Sequence, residues 1–272
     1  MQIRNLEGIP IETIVESLLE AFSDYFVKMP AEVAYWESRF KGAGVDWKSS
    51  FGIFDGRKLV AFIIHGIDFY HSKLTAFNTG TGVLPAYRSR KAVDQLYEFA
   101  IPHFRRTGVE KCMLEVIQEN FRAIRVYERI GFRISRKLKC FQGSIKTGNE
   151  KFRLEKIPFE EMNENSNVDN KFYSWDNSAA TIERADGIYQ TFLVRDHQDR
   201  EAGYFVINPN IGYVAQLEMI HGPMGAVFKG LSQVSKEVRL NNIDEARTYL
   251  IDMLLKKGLV NTVNQYEMEM LL

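Results

Sequence analysis

Leu114-Glu115-Val116-Ile117-Gln118-Glu119-Asn120-Phe121-Arg122-Ala123-Ile124-Arg125-Val126-Tyr127-Glu128-Arg129-Ile130-Gly131-Phe132 is the stretch on which the reading of this chain turns. Its opening, with Cys112 and Met113 before it, is an apolar run of strand length. Its second part puts Ala123, Ile124, Tyr127 and Ile130 on one helical face and opens on Asn120, a good helix N-cap. Gly131 then stands where a left-handed helix end is wanted. The same grammar precedes it, with a strand at Leu74 to Val83, a helix at Lys91 to Arg106 and a stop at Gly108. Helices between strands imply crossover connections, parallel or mixed neighbours, and helices packed on the sheet faces.

Upstream, Ile11, Ile14, Val15, Leu18, Leu19 and Phe22 predict an amphipathic helix from Pro10 to Phe22. A second helix is expected from Glu32 to Phe40, closed by Gly42 and Gly44. Phe51 to Phe54, Asp55-Gly56 and Lys58 to Gly66 read as a hairpin, because Asp-Gly readily takes the positive φ of a tight turn. Downstream, Gly143 to Glu150 and Glu160 to Asn170 are polar and turn-rich, which divides the chain into domains 1–148 and 149–272. The second has strands at Tyr189 to Val194, Glu201 to Asn208 and Tyr213 to Ile220. A helix from Asp244 to Lys257, Gly258 and a strand from Val260 to Met270 follow. Residues 123–134 (AIRVYERIGFRI) and 249–260 (YLIDMLLKKGLV) share one helix, glycine, strand pattern, compatible with a duplicated fold.

At 272 residues, with 45% hydrophobic and 26% charged side chains, the chain is long enough for two domains with real cores. Its 35 basic and 35 acidic residues cancel, which argues against nucleic acid or an anionic membrane as partner. Residues 1–148 carry 22 basic and 16 acidic groups (+6), the remainder 13 and 19 (−6), so an anionic ligand should prefer the first half. The longest apolar run, Leu59 to Ile64, is far short of the ~20 residues that span a bilayer. The N-terminus has Glu7, Glu12, Glu16 and Glu20 where a secretory signal needs a basic start, so a cytoplasmic location is expected. Cys112 and Cys140 read as reduced, structural thiols, and the five histidines have no metal-ligand spacing.

Gly82-Val83-Leu84-Pro85-Ala86-Tyr87-Arg88-Ser89-Arg90-Lys91-Ala92-Val93 runs from a strand end through a basic turn into a helix. A helix's first turn has unpaired N–H groups and the positive end of its dipole, a natural cradle for a diphosphate. The alternative is a solvated cationic turn. Glu115 stands out as a carboxylate in an apolar strand, either a base or an ordinary polar contact near the strand end.

Together the two segments resemble the GNAT N-acetyltransferase superfamily over residues 1 to 145. In that family a strand ending in a Val-x-Pro-x-Tyr-Arg type run feeds an Arg/Gln-x-x-Gly-x-Gly/Ala loop, and a helix with the Asn, Ala, Tyr and Gly-Phe spacing of Asn120, Ala123, Tyr127, Gly131 and Phe132 follows. The resemblance implies an α/β (α+β) fold, a GNAT-like mixed sheet flanked by helices, duplicated in tandem with a degenerate second domain. It implies acetyl-CoA as co-substrate, its pyrophosphate on the loop Arg88, Ser89, Arg90, Lys91, Ala92 and Val93, its pantetheine arm on Asn120, and its carbonyl near the main chain of Val83 on a bulged strand. Ser89, Lys91 and Val93 depart from the family's glycines or small residue. The family's acid position is filled by Tyr127, and Glu115 is the candidate base. Asp24, Tyr25 and Asn78 fall where related enzymes line the acceptor channel. In the second half Leu254 takes the place of Tyr127. The expected activity is direct transfer of acetyl to an amine of a small molecule or peptide, by a monomer or homodimer. The alternatives are a non-catalytic acetyl-CoA-binding or regulatory module, and a scaffold pair that binds no nucleotide.

Overall fold

The computed structural model describes residues 1–24, 28–149, 151–165, 170–185, 187–222 and 225–272. They form two compact units, Met1–Ser135 with Glu267–Leu272, and Arg136–Tyr266.

Unit 1 runs β1 (Gln2–Asn5), α1 (Ile11–Ala21), α2 (Val33–Gly42), β2 (Phe51–Asp55), β3 (Lys58–Tyr70), β4 (Lys73–Val83), α3 (Ala92–Arg106), β5 (Lys111–Ile117) and α4 (Phe121–Ile130). Its strands lie in the order β1-β2-β3-β4-β5, antiparallel up to β4 and parallel between β4 and β5. The expected Asp55-Gly56 turn joins β2 to β3, with Gly56 at φ +60°. α1 buries Ile14, Val15, Leu18 and Ala21, and α3 buries Leu96, Tyr97, Ala100 and Phe104, the stripes their apolar spacing predicts. Each such large side chain contributes roughly 1.5–3 kcal/mol when taken fully out of water. Gly82 allows α1 to come close to β4, since a Cβ there would lie 2.3 Å from the Phe62 ring and 3.0 Å from Ala21.

After α4 comes β6 (Arg133–Ser144), most of which belongs to unit 2. Unit 2 continues with β7 (Phe152–Ile157), α5 (Phe159–Asn165), α6 (Ala179–Arg184), β8 (Gln190–Asp196), β9 (Glu201–Asn208) and β10 (Tyr213–Met219). It ends with α7 (Gly225–Val234), β11 (Glu237–Asp244), α8 (Thr248–Lys256) and β12 (Val260–Leu271). Its strand order is β6-β11-β10-β9-β8-β7, with a core cluster on Phe205, Phe228, Leu231 and Leu254 and a second on Ile182, Leu193, Tyr204 and Val206. From β7 to β12 the elements repeat the succession from β1 to β6. The final strand of each repeat is exchanged: β6 pairs with β11 in unit 2, while the end of β12 returns to lie beside β5 in unit 1.

The sequence suggests a boundary at the polar residues after β6; the contacts instead divide the chain at the start of that strand. The helix expected from Asp244 begins at Thr248, because Glu237–Asp244 is a strand. Val238 and Leu240 are buried on either side of exposed Arg239, the alternation of a half-buried strand. Both cysteines are buried and neither forms a disulfide, and no helix among the described residues is long and apolar enough to cross a membrane.

Candidate functional site

Parallel pairing of β4 with β5 runs from Thr75 opposite Lys111 to Asn78 opposite Leu114 and then stops, although both strands continue to Val83 and Ile117. The two strands therefore splay. The cause lies in β4: His65 pairs with Asn78 and Ile64 with Gly80, so Thr79 is an extra residue, a bulge that turns the strand. Beyond it, Leu84 N–H donates to Val60 C=O at 2.9 Å across the Ala61–Val83 pair. That bond makes the pair a non-hydrogen-bonded one, and the ladder alternates. Main-chain N–H and C=O groups of Val83 and Thr81 consequently point away from β3, toward the opening. The expected bulged strand is present, but its bulge is at Thr79, four residues before Val83. The Thr79 hydroxyl is buried, with no hydrogen-bond partner among the described residues.

The basic turn follows at once. Tyr87 is pinned by its hydroxyl, which donates to Asp55 Oδ2 at 2.7 Å and is pushed up in pKa by that bond. Ser89 (φ +64°) and Lys91 (φ +54°) adopt the left-handed conformation that glycine takes without strain. L-residues thus hold the left-handed positions of this loop, at a cost of roughly 1–2 kcal/mol each. Lys91 is the N-cap of α3 and supplies no side-chain cap, so the first-turn N–H groups of Ala92 and Val93 retain their donor capacity. Asp94 would oppose an anion there, but Arg129 binds it bidentately at 2.6 and 2.7 Å and holds its carboxyl below the usual range.

Arg88 is engaged differently from the sequence expectation. Its Nη1 and Nη2 donate to the two Asp24 carboxylate oxygens at 2.5 and 2.7 Å, Nη2 also to Ala21 C=O at 3.0 Å, and Nε to Val83 C=O at 3.3 Å. It ties the end of α1 to the end of β4. The pairing holds Asp24 below the ordinary carboxylate range. Asp24, read from sequence as an acceptor-channel residue, is this strut's other half; Tyr25 lies outside the described residues. The exposed cations of the loop are Arg90, which stacks over Tyr87 at 5.2 Å, and Lys91. Arg122 on the first turn of α4 reaches toward Ser89 at 3.5 Å. It escaped sequence reading because only the fold brings α4 to the loop.

On the β5 arm, Glu115 is the first residue past the last paired position and is half-buried. Asn120 caps α4, its Oδ1 accepting from Ala123 N–H at 3.2 Å. Tyr127 is 8% exposed, with its ring edge-on to Phe132 at 5.7 Å. The spacing to Gly131-Phe132 has a local cause. Gly131 N–H and Phe132 N–H both reach Tyr127 C=O, at 3.1 and 3.0 Å, and Gly131 takes φ +124° to turn Phe132 back under the helix. Asn78 is 6% exposed, and its Nδ2 donates to Thr81 Oγ1 and Tyr97 Oη, both at 2.7 Å. Tyr97 was missed because it continues the apolar stripe of α3. Its phenol is raised well above the ordinary value by burial, with smaller contributions from Tyr127 and Cys112, while Asn78 acts the other way.

Unit 2 has the same frame with its opening filled. β10 and β11 pair only at Tyr213 and Arg239, and Ala215 is the extra residue of a bulge. Asn177 then bridges the two arms: its Nδ2 donates to Asn241 C=O on β11 at 2.9 Å, while Tyr213 and Gln216 of β10 donate to its Oδ1 and C=O at 2.7 and 2.9 Å. Arg247 donates to Leu217 C=O at 3.2 Å and pairs with Glu218 at 2.8 Å. Trp175, 1% exposed, belongs to the same segment. Leu254 holds the place of Tyr127, since Leu259 N–H caps it at 3.1 Å as Phe132 N–H caps Tyr127. Two surface concavities of about 490 and 530 Å³ lie elsewhere, one in each unit. Neither is lined by residues of the β4–β5 opening.

Residues 12–132 match the acetyltransferase (GNAT) family. Among solved structures, a tandem GNAT protein from the clavulanic acid biosynthesis pathway superposes with a TM-score of 0.73 at 12% identity, over 99% of this chain and 98% of that one. A GCN5-related N-acetyltransferase from Sphaerobacter thermophilus gives 0.68 at 11% identity, over 99% and 95%. One from Kribbella flavida gives 0.58 at 15%, over 100% and 71%. No curated protein matches in sequence. The bulged and splayed strand, the left-handed loop and the Tyr127 helix all lie inside the segment that matches the acetyltransferase (GNAT) family model, and the chain as a whole has the fold of a tandem GNAT protein.

Proposed function

We propose that unit 1 is an N-acetyltransferase that moves an acetyl group from acetyl-CoA to an amine of a small molecule or peptide, with both substrates bound at once. The observation that carries this reading is the opening between β4 and β5, edged by main-chain groups of Thr81 and Val83 and followed by an uncapped α3 first turn. An extended polar chain needs such an edge to pair with, and its diphosphate needs the N–H groups beyond. The residues fit that group: Arg90 and Lys91 are exposed cations of the loop, Arg122 reaches Ser89 from α4, and Asp94 is already paired with Arg129.

Acetyl-CoA, when bound, supplies the thioester carbonyl that the amine attacks. N–H groups of β4 near the bulge donate to the oxygen that gains charge, in a fixed backbone that need not reorganise. Glu115 takes one proton from the incoming ammonium, directly or through water; Tyr127 gives its phenolic proton to the departing sulfur and regains one, through water, from the attacking nitrogen as the amide forms. Asn120 combines its capping role with contact to the amide-bearing arm. Arg88 acts by holding the β4 end in place through Asp24, Ala21 and Val83. Its engagement there favours one other reading, a non-catalytic acetyl-CoA-binding module of modest affinity.

Calorimetric titration with acetyl-CoA, followed by thiol release over a panel of amines, separates the two. Saturable binding with turnover of at least one amine supports the enzyme. Binding without turnover on any amine supports the module, and no binding refutes both.

A further inference from the structure

Asn78 has the chemistry of a substrate-binding residue but is not available for one. Both hydrogens of its buried amide are spent, one on Thr81 Oγ1 and one on Tyr97 Oη, each at 2.7 Å. The Thr81 bond spans the bulge, because Asn78 and Thr81 bracket the extra residue Thr79. The Tyr97 bond carries the same point across to α3. Tyr97 in turn is 1% exposed and packed edge-on against His65 at 5.9 Å and Phe132 at 5.4 Å, and Phe132 is edge-on to Tyr127 at 5.7 Å. A continuous run of close-packed groups therefore links the bulge to the phenol of α4.

We propose that Asn78 and Tyr97 are positioning residues, a clasp that sets the shape of the β4 bulge and thereby aims its N–H groups at the carbonyl of the acyl donor. This rests on the acetyltransferase reading and adds to it the residues that hold the donor in line. A bulge leaves its extra residue outside the ladder, so sheet hydrogen bonds alone do not fix its angle. A side-chain bond across the bulge and a second to a rigid helix do. Hydrogen-bond catalysis of this kind is sensitive to small displacements, since the donors must meet the oxygen where its charge develops. Loosening the clasp should weaken the carbonyl contact and leave the diphosphate contacts, which belong to the loop after Val83, as they were.

The test is difference infrared spectroscopy with acetyl-CoA labelled with carbon-13 at the acetyl carbonyl, on the full chain, comparing wild type with Tyr97→Phe and Thr81→Val. Tyr97→Phe keeps the ring that packs on His65 and Phe132 and removes only the hydroxyl; Thr81→Val keeps the β-branched shape. In wild type the bound carbonyl band should lie below its position in water. In either variant it should move back toward that position and broaden, with affinity for CoA itself changed by less than about threefold and, with any amine found to react, kcat lowered about tenfold at nearly constant KM. A wild-type shift that persists unchanged in both variants overturns the clasp while leaving the acetyltransferase reading intact. Wild type that binds acetyl-CoA without a carbonyl shift also overturns it. Wild type that binds neither acetyl-CoA nor CoA overturns the functional reading and the clasp with it.

Discussion

Acidifying the protein from pH 7 to pH 5 should cost unit 1 about 2 kcal/mol through a single side chain, His65. His65 lies on β3 opposite Asn78, fully buried, edge-on to Phe104 at 5.0 Å and Tyr97 at 5.9 Å. Neither ring nitrogen meets good hydrogen-bond geometry with a partner among the described residues, and the Ser49 main chain opposes the burial effect only weakly. Burial pushes its pKa from 6.5 down to about 3. The folded protein therefore holds His65 neutral, whereas the unfolded chain takes up a proton below 6.5. The contribution is fully present above pH 6.5 and is lost as pH falls from there toward 3, at a limiting slope of about 1.4 kcal/mol per pH unit. At pH 5 some 1.5 units of that window have been crossed, which gives the 2 kcal/mol. Denaturant unfolding followed by tryptophan fluorescence reports it, since Trp36 and Trp47 lie in unit 1. His65→Leu, of similar volume, provides the comparison: its stability should fall by about 2 kcal/mol less between pH 7 and pH 5 than that of wild type, whatever its offset at pH 7. Equal losses in the two proteins would refute the assignment of a buried neutral imidazole.

Tyr127→Phe should lower turnover on any accepted amine about a hundredfold and shift the acetyl-CoA dissociation constant by less than about threefold, as steady-state kinetics and calorimetry would show. A silent variant removes Tyr127 from the mechanism. Lys91→Gly should leave stability unchanged or raise it by up to about 1 kcal/mol, and Lys91→Val should lower it by about 1 kcal/mol or more, because φ +54° suits glycine and penalises a β-branched residue; thermal unfolding distinguishes them. Gly82→Ala should destabilise by about 2 kcal/mol or more, since its Cβ would overlap the Phe62 ring. A melting temperature within a degree of wild type would contradict that close approach.

Much of unit 1 is written in short-range pattern. The stripe of Ile14, Val15 and Leu18, the Asp55-Gly56 turn and the caps at Asn120 and Gly131 each depend on residues a few positions apart, and each forms as expected. What depends on partners distant in sequence was not legible. Arg88 reads as a free cation until α1 brings Asp24 to it across 64 residues. Asn78 reads as a polar strand residue facing a substrate until Tyr97 arrives from the next helix. The bulge at Thr79 is visible only in the register of β3 against β4, and the exchange of β6 and β12 only in the pairing of final strands. β11 was hidden by its polar members Arg239, Asn241 and Asn242, which the apolar run expected of a central strand would exclude. Ser89, Lys91 and Val93 stand where the family's glycines or small residue are usual, and the structure gives Ser89 and Lys91 a left-handed backbone.

The central claim is that the β4–β5 opening of unit 1 takes an acyl-CoA along the open edge of β4. Amide nitrogen–proton shifts recorded by NMR during a titration with acetyl-CoA test it residue by residue. The account predicts saturable shifts at Thr81, Val83, the Arg88 to Val93 turn and Asn120, with Leu217 to Met219 of unit 2 unmoved. No saturable shift at the unit 1 residues, or shifts concentrated on β10 and β11, would contradict it.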